Sequence, residues 1–167
     1  DTDRSRGLGD VYKRQVVIGT GEPRYENLFK HFQWKYPDRV SANIFFSEQR
    51  AHKLYAAADA MLVPSRFEPC GLTQLIALRY GTIPIVRETG GLKDTVSPYN
   101  EYENSGNGFS FGNYDSYDML NVINYAKTIY FTQNEKWQEI IIRAMKSDFS
   151  WNFSADQYAG MYNWLSN

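Results

Sequence analysis

What this chain is short of narrows its chemistry first. It holds one cysteine, Cys70, and two histidines, His31 and His52. A single thiol cannot build a disulfide framework and fits a reducing cytoplasm. There is no Cys/His cluster with ligand spacing, which argues against a metal centre. No histidine motif accompanies Cys70, so a cysteine nucleophile lacks its base, and the thiol reads as a small buried hydrophobe. No apolar run approaches the roughly 18 residues that a membrane-spanning helix needs. No secretory apolar segment stands near the start either. The 18 basic and 19 acidic residues leave a net charge of −1. Without a basic block or stripe, nucleic acid is not an expected partner.

What is there is an ordinary globular composition, 43% hydrophobic and 22% charged over 167 residues, which suits one domain with a core. Aromatics are abundant at 16%, with thirteen Tyr and four Trp. They serve either as core filler or as sugar-stacking and interface surface. Residues 1–15, DTDRSRGLGDVYKRQ, are charged and lack an apolar period. They resemble adaptor-derived sequence, or else a loop cut at random, and are set aside from fold reasoning. The expectation is a non-native 1–15 followed by one domain over 16–167, beginning in the middle of something larger.

From there short strands and helices alternate. Gln15–Gly19 (QVVIG) reads as a buried strand, and Pro23 opens a helix ended by Pro37 with Tyr25, Leu28, Phe29 and Phe32 on one face. Val40–Phe46 is a second strand. Ser47 caps a helix carrying Ala51, Leu54, Tyr55 and Ala58. Ala60–Val63 is a third strand, Gly71–Tyr80 a helix with Leu72, Leu75, Ile76 and Leu78, and Ile83–Val86 a fourth strand. Gly90-Gly91 turns into a short helix, LKDTV. A polar loop spans Asn100–Asn107, and Gly108–Phe111 is the last strand. Helices over Ser116–Phe131, Lys136–Met145 and Ala155–Leu165 follow. This order predicts an α/β fold with a parallel, doubly wound sheet.

Ligands of such sheets sit at the carboxyl ends of the strands. That draws attention to four loops: GTGEP, FFSE, SRFEPCG and ETGG. SRFEPCGLTQ, Ser65–Gln74, leaves a strand and enters a helix, whose first amides and partial positive charge suit phosphate or sugar hydroxyls. Gly71 permits close backbone approach, and Thr73 puts a hydroxyl in the first turn. Glu68 either accepts hydrogen bonds from a sugar and steadies positive charge at a reacting carbon, or simply complements the helix dipole. GTGEP lacks the full G-x-G-x-x-G pattern because position 24 is Arg, so its glycines read as a tight turn. Lone His52 reads as a packing or solvent residue. Phe45 and Phe46 end a strand at this rim, where one ring can stack on a base while core burial is expected of at least one of them.

The string SRFEPCGLTQLIALRYGTIPIVRETGGLKDTV, together with VVIGTGEP, AHKLYAAAD and DFSW, resembles the second domain of the bacterial glycogen synthases, the ADP-glucose-using members of glycosyltransferase family 5. The plant starch synthases are similar. The resemblance covers nearly everything after residue 15. It implies the Rossmann-like C-terminal domain of a GT-B fold, with the active site in a cleft against a first domain absent here. The implied reaction moves glucose from ADP-glucose to the non-reducing end of an α-1,4-glucan, with retention of configuration and no metal or other cofactor. The partners implied are those two substrates and the missing N-terminal domain, with no membrane and no nucleic acid.

Carried over residue by residue, Glu68 is implied as the active-site carboxylate against the donor glucose. By the same resemblance the backbone N–H groups of Cys70 and Gly71 would hold glucose hydroxyls, Leu72 and Thr73 would bind the diphosphate, and Phe46 would stack on the adenine. Phe45 stands where bacterial members often have Gly. The basic pair that neutralises the diphosphate is expected upstream of this chain. Ile76 stands where many retaining GT-B enzymes carry a second Glu, which separates the sequence from their sucrose-synthase-like and mannosyltransferase branches. In this family the last helix crosses back to the first domain, so the Tyr158, Met161, Tyr162 and Leu165 face is expected to be left exposed and to promote association. The competing expectations are a UDP-sugar transferase of the same fold and a non-catalytic glucan- or nucleotide-binding module.

Overall fold

The computed structural model describes residues 15–166. The adaptor-like reading of the first residues lies outside this range, apart from Gln15. The chain divides into two compact units, one ending at Lys53 and the other beginning at Leu54.

In the first unit, β1 (Gln15–Ile18) pairs in parallel with β2 (Val40–Asn43), and α1 (Pro23–Lys35) connects them. Pro23 suits the first turn because its missing N–H has no partner there anyway. Gly21 N–H donates to Glu26 Oε1 at 3.0 Å, so the GTGEP turn is closed by its own helix. The expected apolar face of α1 buries no residue: Tyr25, Leu28 and Phe32 are all exposed. A two-stranded sheet offers too little surface to cover thirteen residues of helix. The second strand is also shorter than expected. Its ladder stops at Asn43, whose carbonyl accepts from both Gly19 and Phe45, so Phe45 and Phe46 lie beyond the strand in a bend. α2 (Glu48–Ala57) follows, and Arg50 N–H donates to Ser47 Oγ at 3.3 Å, as the cap requires.

The second unit is built on β3 (Ala60–Val63), β4 (Ile83–Arg87) and β5 (Phe109–Phe111), parallel and in that spatial order. The expected single sheet is therefore two sheets, one in each unit. β4 is central, and alternation buries both its faces. Ile83 and Ile85 enter a cluster with Leu78 of α3 (Thr73–Tyr80), Ala126 and Ile129 of α5 (Ser116–Thr132), and Trp137 and Ile140 of α6 (Asn134–Lys146). Val86 enters the other cluster with Val63, and with Leu92 and Val96 from α4 (Gly90–Thr95) and its end. Helices thus cover both faces, as a doubly wound sheet demands. Phe109 stacks on Trp137, ring centroids 6.0 Å apart, and Trp137 is 2% exposed.

α3 begins at Thr73, two residues later than the spacing predicts, because Gly71 takes φ +75° and cannot be helical. α7 (Trp151–Leu165) begins earlier than predicted, since Ser150 Oγ accepts from Phe153 N–H at 3.3 Å and caps it there. No residue of α7 is buried, and Tyr158, Met161, Tyr162 and Leu165 are exposed. Among the described residues, no helix is long and apolar enough to cross a membrane.

Candidate functional site

The loop from Pro64 to Leu72 leaves the carboxyl end of β3 and enters α3. Its main chain is held along its length by donors from neighbouring elements. Arg87 Nη1, at the end of β4, donates to the carbonyls of Ser65 (3.3 Å) and Arg66 (2.7 Å). Gly91 N–H, in α4, reaches the carbonyls of Glu68 (3.1 Å) and Pro69 (3.3 Å). The Gln74 amide, on α3, donates to the carbonyls of Cys70 (3.2 Å) and Gly71 (2.8 Å), and to Thr95 Oγ1 at 3.1 Å. Thr95 Oγ1 in turn donates to the Gly91 carbonyl at 2.5 Å.

These bonds orient the loop. In a trans peptide, C=O and the following N–H point in opposite directions. The peptides joining Pro69 to Leu72 turn their carbonyls toward protein donors, so the N–H groups of Cys70, Gly71 and Leu72 project the other way. α3 then starts with no side-chain cap, which leaves its first-turn amides and positive dipole end facing the same direction. The result is a row of donors suited to an anion or to hydroxyl oxygens.

Close packing requires the glycines beneath the loop. A Cβ on Gly91 would lie 1.9 Å from the Cys70 carbonyl oxygen, and one on Gly90 2.1 Å from that of Glu68. Neither backbone atom can move aside, so the ETGG turn is a spacer of minimum thickness under the loop.

The expected site residues sit as follows. Glu68 is half-buried, with Oε2 3.3 Å from Ser65 Oγ, and among the described residues no basic side chain pairs with it. Cys70 is exposed rather than the buried hydrophobe expected, because its carbonyl, not its thiol, is what the protein grips. Gly71 and Thr73 are half-buried, and Leu72 is exposed. All five belong to one continuous stretch of the second unit. Phe46 belongs to the first unit and is 86% exposed, while Phe45 lies under the Arg50 guanidinium, 4.7 Å from its ring centroid. Among the described residues no group of His, Cys, Asp or Glu could hold a metal ion.

The supporting shell was not foreseen. Gln74 is fully buried, and its Oε1 finds no partner. The carbonyls of Cys70 and Gly71 on its nitrogen side fix the amide's orientation. Its only signal in the sequence is a polar residue inside an apolar helical stretch, one turn before Leu78. Arg87 and Thr95 had no signal short of knowing which carbonyls they meet.

Residues 13–146 match the model of the family described as Glycosyl transferases group 1. The chain belongs to that family, and its α/β architecture is that of GT-B enzymes. It is 64% identical over 150 residues to a glycogen synthase of Lachnospira eligens and 57% identical over 150 residues to one of Lachnoclostridium phytofermentans, covering 90% of this chain and 31% of each relative. It also resembles the catalytic domain of starch synthase IV from Arabidopsis thaliana bound to ADP and acarbose. That match has a TM-score of 0.77 and 34% identity over 92% of this chain and 32% of that one. The chain spans about a third of the length of these relatives.

Proposed function

We propose that this chain is the donor-binding part of a retaining, cytoplasmic glucosyltransferase that moves glucose from ADP-glucose to the non-reducing end of an α-1,4-glucan. The observation that carries the reading is the outward row of amides at Cys70, Gly71 and Leu72, held by bonds to six carbonyls of the same loop. It matches the chemistry in which a nucleoside diphosphate departs as an anion, where fixed donors and a helix N-terminus stabilise the developing charge. Relatives named glycogen synthase, and a starch synthase solved with ADP, supply the substrate class.

In this reading Cys70 and Gly71 amides hold glucose hydroxyls, and Leu72 and Thr73 hold the diphosphate. Glu68 stands beside the glucose, where a carboxylate favours an oxocarbenium-like transition state. Phe46 is the candidate stacking ring for adenine, and its exposure leaves a face free for a base. The remaining acceptor and diphosphate groups belong to the rest of the enzyme, so the 167-residue chain alone is expected to show no glucosyl transfer.

The test uses the product of the complete gene. ADP-glucose is expected to support glucan elongation and UDP-glucose to do so far less; the reverse preference assigns the donor to UDP-sugars. Glu68→Ala is expected to abolish turnover with the fold intact, and a near-normal rate removes Glu68 from the mechanism. Calorimetry that finds maltooligosaccharide binding and no ADP binding makes the chain a glucan-binding module instead.

A further inference from the structure

One surface hollow of the structure is not at this loop. It lies at the opposite rim of the β3–β4–β5 sheet, where the chain between α4 and β5 forms a small hairpin. Pro98 bridges Gly108, and Asn100 bridges Ser105. Because β5 enters the sheet beside Ile85 and runs parallel to β4, this hairpin approaches from the amino end of the strands, while SRFEPCG and ETGG lie at the carboxyl end. The hollow is wide open to solvent and measures about 560 Å3. Tyr99, Asn100, Glu101, Tyr102, Glu103 and Tyr125 provide most of its lining.

Three features fit it to a sugar. Tyr102 is 93% exposed at the hairpin tip, and Tyr125 stacks on Tyr99 at a centroid distance of 6.4 Å. The hollow therefore combines an accessible aromatic face with further rings behind it, the surface on which pyranose C–H groups pack. Tyr125 lines the hollow with a hydroxyl, whose pKa burial first, then the nearby Glu101 carboxylate, raises above the ordinary value. Tyr99, 7% exposed, backs the hollow with its ring, its hydroxyl sealed from solvent and without a hydrogen-bond partner among the described residues. The two carboxylates accept from hydroxyls, and no basic residue lines the hollow, which disfavours phosphates and nucleotides.

The hairpin is also held in place, so little ordering is needed on binding. Asn104 Nδ2 donates to Glu139 of α6. Arg143 Nε, on the same helix, donates to the Gly106 carbonyl at 2.7 Å. Asn107 accepts from Ser97 N–H at 2.8 Å and donates to Ser147 Oγ at 3.1 Å. We infer that this hollow is a second carbohydrate site, remote from the donor loop, that holds an α-1,4-glucan chain by stacking on Tyr102 and hydrogen bonding to Tyr125 and Glu101. The choice of α-glucan among neutral sugars rests on the proposed function. The site would keep the growing polymer tethered to the enzyme between transfers.

The experiment is a titration of the isotope-labelled chain, followed by amide resonances, with maltoheptaose, ADP and spermidine in separate arms. Maltoheptaose is expected to shift residues 98–105 and Tyr125 in the millimolar range. Tyr102→Ser, a change at an exposed tip, is expected to weaken that binding by at least about threefold through loss of one aromatic face, with the ADP response unchanged. No shift in the hairpin at saturating maltoheptaose overturns the proposal, as does an equal affinity in Tyr102→Ser. Hairpin shifts with spermidine but not with maltoheptaose overturn it in favour of a cation site. Glucan binding at the hairpin without any ADP response upholds this site and removes the donor reading, so the two fail separately.

Discussion

The two rims of the β3–β4–β5 sheet are built by opposite means. At the carboxyl rim the surface proposed to bind is main chain: amides of residues 70–72 face outward, while Arg87, Gly91 and Gln74 hold the carbonyls from beneath. At the amino rim it is side chain: tyrosines, carboxylates and an asparagine on a hairpin braced by α6. The first arrangement tolerates varied outer side chains but almost no change in its buried supports. The second is the reverse, since Tyr102 and Glu101 at its tip are exposed side chains. A charged diphosphate needs a fixed array of donors; a neutral glucan needs surface and hydroxyl partners.

Four substitutions or conditions test that contrast, in falling order of effect. Gly91→Ala sets a methyl against the Cys70 carbonyl. It is expected to lower stability by about 1–3 kcal/mol, as overpacking does, and to abolish ADP binding by calorimetry while leaving the hairpin's maltoheptaose shifts in place. An unchanged melting temperature and ADP affinity would mean that the turn does not gauge the loop height. Gln74→Leu keeps the volume but strands two carbonyls, which costs about 1–3 kcal/mol and is expected to weaken ADP binding by about tenfold. Arg87→Met removes donors from the far end of the loop, at Ser65 and Arg66, and is expected to weaken ADP binding by less than Gln74→Leu. Equal effects would show that the loop moves as one body.

The smallest expected effect concerns pH and the hairpin brace. The hydrogen bond from Asn104 is the chief cause that lowers the Glu139 carboxyl below its ordinary value, with Lys136 and Arg143 adding and burial opposing. A carboxyl with a depressed folded value stabilises above its unfolded value and loses that contribution as pH falls through the folded one. Amide exchange at 100–106 should therefore quicken below the ordinary Glu range, and Glu139→Gln should remove most of that acid dependence. The donor loop is expected to show neither change. An acid response of equal size at residues 65–72 would join the two rims that the structure keeps apart.

Much of the second unit was legible in the sequence because its signals are local. The strand Ala60–Val63 and the helices from Ser116 and Lys136 carry clear apolar periods and turn residues, and the structure places them within a residue or two. SRFEPCGLTQ marked the loop itself. The supports were illegible because each depends on a partner far along the chain: Gln74 on Thr95, Arg87 on Ser65 and Arg66, Gly91 on Glu68. Asn100–Asn107 read as plain loop because its order comes from Glu139 and Arg143, over thirty residues away. The same blindness applies to α1, where an apolar face in the sequence is not a buried face in the unit.

Of the four tryptophans, Trp34, Trp151 and Trp164 are 78%, 90% and 76% exposed, and Trp137 alone is sealed against Phe109 and Tyr130. The molecule therefore carries its own optical gauge. Iodide should extinguish the emission of the three outer indoles and spare a blue-shifted remainder from residue 137. That remainder reports whether the interior beneath the hairpin is intact, without a label and without disturbing either rim.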